Sequence, residues 1–242
     1  MSSETFNFNQ FVKDSISSLT NPKEYFATMK VDGGLGVPVV KALIYGAISG
    51  VISFIWSLLH IGGVVGGIFG GAVGIMLFVW AIIGALIGLF LGAVITLIIS
   101  AICSGSTDYE ANARVTASLM VIMPISAVFG FLSGIVDSIV GLAINFYSLY
   151  MLYHALIGSL KGKESAAKIT GLVLGGLLVI IMLVGFSAKK KASKFMDGYG
   201  VDMEKAVEDY GKEMEKGLKG LAKEFEEAAE EMEEEAEEAE EE

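Results

Sequence analysis

Few side chains in this sequence could do chemistry, and their spacing assembles no reaction centre. The chain has two histidines, His60 and His154, and one cysteine, Cys103. No intrachain disulfide or cysteine-based metal site can form, and no zinc-ligand spacing is present. A Gly-rich phosphate loop with Lys and Ser/Thr, an H-E-x-x-H motif and a Ser-His-acid arrangement are all missing from the sequence. His154 lies among Tyr147, Tyr150 and Tyr153, which reads as an aromatic-belt or core histidine rather than a base. Asp137 would be a functional candidate at a bilayer centre, where a charge costs about 2.5–3.5 kcal/mol on insertion scales. It falls instead beside Gly134, at the far interface, where it can cap a helix at little cost. No catalytic residue, cofactor or metal is expected.

The polar stretch Ser104–Arg114 is the most informative soluble segment. Thr107-x-x-Glu110 fits a capping box, and Glu110 with Arg114 forms an i,i+4 pair. One reading is the start of a membrane span helped by an exposed ion pair; the other, compatible with it, is a recognition surface. Asp108, Tyr109, Glu110 and Arg114, with Lys161, Lys163 and Lys168 of a later loop, are the candidate interaction residues. Lys189, Lys190, Lys191 and Lys194 form a stop cluster suited to lipid headgroups. Arg114 is the sole arginine and no basic stripe is interleaved with aromatics, so nucleic-acid binding is not expected.

These groups need elements to position them, and those elements are membrane spans. Mean hydropathy is +0.62, with 53% of the 242 residues hydrophobic and 19% charged. A helix crossing a ~30 Å hydrocarbon layer needs roughly 20 mostly apolar residues. Such runs occupy Pro38–Leu59, where Lys41 lies near one end and can snorkel, and Ile61–Cys103. Further runs are Arg114–Leu132, Asp137–Ser159 and Lys168–Ser187. Ile61–Cys103 is about twice too long for one crossing. It is expected to hold one span over about Gly71–Cys103, after a lead-in or partial turn at Gly62–Gly70; two short spans are the alternative. Gly62, Gly66, Gly70 and Gly74 recur every four residues, as do Gly84, Gly88 and Gly92, which predicts flat faces for close helix packing. Five spans are therefore the leading expectation. Counting basic residues supports a cytoplasmic N-terminus for five spans or six, with eight inside against four outside either way.

Both flanks of this membrane domain (residues 38–187) are amphipathic. In the leader (residues 1–37), Phe8, Phe11, Val12, Ile16 and Leu19 follow helical spacing, with Lys13, Asp14, Ser17 and Ser18 on the other side. Asn21-Pro22-Lys23-Glu24 reads as a helix start, with Asn as cap, Pro first and Glu third. Tyr25, Phe26 and Met29 would face membrane or bundle, so the leader reads as an interfacial helix pair. The tail (residues 188–242) carries an apolar stripe from Met203 to Met232 and ends in the Glu-rich run Glu233–Glu242. From Lys189 onward there are 9 lysines and 20 acidic residues, 9 − 20 = −11, which is the whole formal charge of the chain. That stripe needs a cover, from a second copy, its own membrane domain, a protein partner or a lipid surface; the acidic end is expected to be disordered. The fold class is all-α: a polytopic helical bundle with an interfacial helix before it and an amphipathic helical tail after it.

Several short clusters occur in an order that resembles the Yip family, in its prokaryotic form. They begin with Asn21-Pro-Lys-Glu-Tyr-Phe26 and Gly33-Gly-Leu-Gly-Val-Pro38, then Gly105-Ser-Thr-Asp-Tyr-Glu110, Arg114-Val115 and Met123-Pro124. Tyr147-Ser-Leu-Tyr150, Ile157-Gly158 and Lys163-Glu-Ser-Ala-Ala-Lys168 complete the series, over roughly residues 20–187. The family takes its name from eukaryotic relatives that interact with Ypt/Rab GTPases. The resemblance implies five membrane helices, a cytoplasmic N-terminus and no enzymatic activity. Compared with the eukaryotic pattern the leader is short and the acidic C-terminal helix is long, which argues against GTPase binding and for a prokaryotic, archaeal-type cell membrane; in a eukaryote it would be an endomembrane. The functional expectation is a scaffold or accessory subunit making protein contacts, or self-associating through its tail. A small-solute transporter or channel component is the alternative.

Overall fold

A computed structural model describes the backbone of residues 6–59, 63–132 and 134–199, and their side chains apart from those of 63–77, 134 and 184–199. Chain contacts define a first unit, Met1–Lys190, and a second, Lys191–Glu242, whose described backbone is the helical stretch 191–199. The tail stripe Met203–Met232, the acidic run Glu233–Glu242 and the side chains of Lys189, Lys190, Lys191 and Lys194 lie outside the described residues, as do Gly62 and the surroundings of Gly66, Gly70 and Gly74.

Among the described residues the structure is all helical. The leader makes α1 (Phe8–Thr20) and α2 (Pro22–Thr28). The membrane part makes α3 (Gly36–Leu58), α4 (Gly63–Ile102), α5 (Tyr109–Leu119), α6 (Ile122–Val128), α7 (Gly134–Gly158) and α8 (Glu164–Tyr199). Five stretches are long and apolar enough to cross a membrane: Gly36–Leu58, Phe78–Ile102, Tyr109–Phe131, Ile135–Gly158 and Glu164–Leu183. The odd count agrees with the expectation of five spans.

The α1–α2 junction follows its local chemistry. Asn21 takes a bond from Glu24 N–H onto Oδ1 at 3.4 Å and returns one from Nδ2 to the Glu24 carboxylate at 2.5 Å. Its own N–H closes α1 on Ser17 O at 2.9 Å. One residue thus ends one helix and starts the next, as the Asn-Pro-x-Glu spacing predicts.

Three expectations about the spans are revised. First, α4 is one unbroken 40-residue helix from Gly63, so no turn forms in its lead-in. Second, the third run is not continuous. Pro124 has no N–H to bond the Met120 carbonyl four residues back, and its ring would clash with that carbonyl. The chain breaks between α5 and α6, where Met123 N–H reaches Met120 O at 2.9 Å, a tighter turn. Third, among the described residues, Gly84 and Gly88 of α4 do not make the close contact expected of them. A side-chain carbon added at Gly84 or Gly88 would meet nothing within 4 Å. The tight approach uses Gly46 and Gly50 of α3, where such a carbon would lie 2.7 Å from Ala85 Cβ and 2.8 Å from the Phe78 ring, respectively. Gly92 does pack closely, 2.8 Å from the Thr116 methyl.

The leader is folded onto the bundle by one face of α1. Phe11 and Ser18 are buried, and Phe11 stacks at a tilt on Tyr45 at 5.2 Å. Ser15 donates to Phe11 O and receives the Tyr45 hydroxyl, both at 2.7 Å. The stripe expected to stay together therefore splits. Phe11 turns inward with Asp14, Ser15 and Ser18, whereas Phe8, Val12 and Ile16, spaced by four, remain 61%, 40% and 57% exposed. Polar side chains take the inner face because Lys41 and Tyr45 offer Asp14 and Ser15 partners there. Phe26 is fully buried, its carbonyl accepting from Ser159 Oγ at 2.7 Å.

Candidate functional site

Two loops and the leader meet at one end of the spans. The segment after α4 and the segment after α7 are joined through their backbones: Ser106 N–H donates to Leu160 O at 2.7 Å and Lys163 N–H to Cys103 O at 2.8 Å. Lys161 adopts a left-handed backbone (φ 58°) that points the loop back on itself. The structure thus brings the loop carrying Asp108 and Tyr109 beside the loop carrying Lys161 and Lys163. Lys161, Lys163 and Asp108 are exposed, and Lys168 pairs with Glu164 at 2.8 Å in an equally open i,i+4 bridge. Tyr109 reaches back to Phe90 O at 3.4 Å. The helix cap is Asp108, accepting from Ala111 N–H at 2.8 Å, and not Thr107 as the capping-box spacing suggested. His154 is buried between the edges of Tyr150 and Tyr153, as a core histidine would be. Asp137 is exposed in the first turn of α7, at that helix's end as expected.

Arg114 departs from the sequence reading. It pairs with Glu110, Nε to Oε1 at 3.6 Å, but its side chain is only 6% exposed. The pair is a clamp rather than a surface ornament. Arg114 Nη2 donates to Gly34 O at 3.1 Å while Gly34 N–H donates to Glu110 Oε1 at 2.6 Å. Both backbone polar groups of one residue, Gly34, are held by two side chains one helical turn apart. Gly33 and Gly34 sit at φ 116° and 88°, a region other residues rarely enter, so glycine is required at this turn into α3. The pairing spans 80 residues of sequence, and helical spacing alone could not reveal it.

Beneath the leader lies a cavity of about 380 Å³. Sequence reasoning missed its polar wall. Lys41 does not snorkel to water; its Nζ pairs with Asp14 Oδ2 at 3.1 Å and donates to Tyr25 OH at 3.5 Å. Tyr25 OH lies 3.0 Å from Ser118 Oγ, which in turn donates to the Met29 sulfur at 3.4 Å. Burial, opposed in part by the Ser118 hydrogen bond, pushes the Tyr25 phenol well above its ordinary 10.0, so it keeps its proton. The clue in the sequence was a lone lysine in an apolar run and a lone aspartate on an otherwise amphipathic helix.

Removing Asp14 leaves a mostly buried ammonium without its counter-charge. Asp14→Ala is expected to lower stability by about 1–2 kcal/mol, less than for a fully buried pair because Asp14 is 24% exposed. Asp14→Ala combined with Lys41→Met should recover part of that loss in reversible unfolding measurements. Additive losses would show that the pair contributes no coupling.

No curated protein and no solved structure matches this chain. The family model described as the Yip1 domain matches residues 16–187, from the middle of α1 through all five apolar spans. This chain is a multi-pass integral membrane protein of the Yip1 domain family.

Proposed function

We propose that the protein is a non-enzymatic scaffold or accessory subunit that makes protein contacts at the membrane through the face built by its leader and two joined loops. The observation that supports this is a backbone already committed to internal bonds, Ser106 to Leu160 and Lys163 to Cys103, beneath exposed Asp108, Lys161, Lys163 and Lys168. A surface fixed before binding loses little conformational freedom on association. Membrane organisation or trafficking is the process we assign, with the N-terminus cytoplasmic in a prokaryotic cell membrane. The acidic tail beyond Lys191 is a second contact element, through self-association or a partner.

Purification in gentle detergent with mass spectrometry tests this. A stoichiometric protein partner, lost in a Lys161→Glu/Lys163→Glu variant of unchanged thermal stability, is the expected result. A monodisperse species without any partner that the variant leaves unaltered would refute it. The topology carries its own prediction. Single cysteines at Asn21, Thr107 and Lys161 should be labelled from one side of the membrane and those at Leu59 and Phe131 from the other. Labelling of Thr107 from the side of Phe131 would break the five-span order.

A further inference from the structure

The cavity under the leader has no part in the contact surface just proposed. Its volume, about 380 Å³, falls in the roughly 300–1,000 Å³ range of small-ligand sites. Three cations line it, Lys30, Lys41 and Arg114, against one carboxylate, Asp14, an excess of 3 − 1 = +2. Glu110 backs Arg114 from outside the lining, and counting it still leaves one positive charge over. Lys41 and Arg114 are 8% and 6% exposed, so their charges act where water screens them little. Tyr25 and Ser118 add hydroxyls to the same wall. Asn7, Gln10 and Thr28 add uncharged polar groups, and Phe6, Phe11, Val37 and Pro38 supply apolar lining.

The position of the cavity says where its ligand comes from. Val37, Pro38 and Lys41 belong to the first turns of a membrane span, and Arg114 to the second turn of another. The opposite face of α1 presents exposed Phe8, Val12 and Ile16, a stripe suited to lying at the headgroup level. Phe6, Asn7 and Gln10 at the start of the same helix line the cavity, so it lies at that depth. We infer that the cavity binds the phosphate of an anionic membrane lipid, held by Lys30, Lys41 and Arg114, with the glycerol and first acyl carbons along Phe6, Phe11 and Val37. Arginine and lysine at a span's end are the residues that hold such headgroups elsewhere.

The test uses the full chain, stripped of lipid in neutral detergent. Short-chain phosphatidic acid, matched phosphatidylcholine and inorganic phosphate are titrated, with melting temperature and native mass spectrometry as readouts. Phosphatidic acid should bind saturably and raise the melting temperature, and phosphatidylcholine should do neither. Lys30→Gln, exposed at the cavity and without a structural role there, should weaken binding about fivefold, and Lys41→Gln by at least as much. Lys13→Gln, on α1 but outside the lining, should change nothing. Equal stabilisation by phosphatidylcholine, or phosphatidic acid binding indifferent to both cavity lysines, would overturn the proposal. Inorganic phosphate binding as tightly as phosphatidic acid would overturn the lipid assignment in favour of a soluble phosphate ligand.

Discussion

Arg114→Ala is expected to cost about 2–3 kcal/mol, several times what its helical spacing alone would suggest. An exposed i,i+4 ion pair contributes about 0.3–0.5 kcal/mol. Arg114 is instead 6% exposed and donates to a backbone carbonyl 80 residues away. Hydrogen bonds to charged groups are worth about 1.5–3 kcal/mol, and losing this donor also takes the side-chain partner from Gly34 O in a half-buried turn. The loss stops short of the largest seen for broken buried pairs because Glu110 is 34% exposed and keeps its bond from Gly34 N–H. Arg114→Lys should fall between wild type and alanine, since an ammonium supplies the charge but cannot bridge Glu110 and Gly34 in a plane. Gly34→Ala should act on the same turn, through a φ of 88° that alanine resists, although a methyl there would meet no neighbour. Reversible unfolding in mixed micelles measures all three. An Arg114→Ala loss under half a kilocalorie would return the pair to the surface.

The second large effect is expected at Gly46. A methyl there would sit 2.7 Å from Ala85 Cβ, 3.0 Å from Ala81 O and 3.2 Å from Ile82 Cα. Two of those atoms are backbone, so relief requires moving α3 away from α4. Overpacking of this kind costs about 1–3 kcal/mol for a small addition, and Gly46→Leu should prevent the two helices from closing at all. In hydrocarbon no apolar driving force pulls helices together, so close packing carries the association. Gly84→Ala and Gly88→Ala make the matched control. Both positions are open, and each change should stay within about 0.5 kcal/mol. If Gly88→Ala proved as damaging as Gly46→Ala, the close helix contact would lie on the α4 glycine face instead.

Much of the architecture was legible because lipid imposes one rule: a spanning segment must satisfy its own backbone and be apolar for about 20 residues. That rule located the apolar runs but left Ile61–Cys103 as one span or two, the family resemblance favouring the five that form, and local capping chemistry placed Asn21 at the joint of α1 and α2. The break at Met120–Val121 was also available from Pro124, though an uninterrupted apolar run concealed it. The candidate residues Lys161, Lys163 and Asp108 were identifiable as loop charges, since charge is costly anywhere else.

What the tertiary structure alone decided is which polar group meets which. Lys41 and Asp14 are 27 residues apart, Tyr25 and Ser118 are 93, and Gly34 and Arg114 are 80. Helical periodicity sorts residues by face but does not say what a face will touch. On α1 it grouped Phe11 with Phe8, Val12 and Ile16, whereas burial took Phe11 with Asp14 and Ser18, because the bundle there offers hydroxyls and a lysine as well as apolar carbon. Small residues posed the same problem: glycines recur on both α3 and α4, and only the packed pair shows that Gly46 and Gly50 make the contact while Gly84 and Gly88 face open space. Sequence thus determined the spans, through the free energy of burying backbone and charge in hydrocarbon. Packing determined the clamp, the cavity and the helix contact, because each depends on distances between segments that no local pattern encodes.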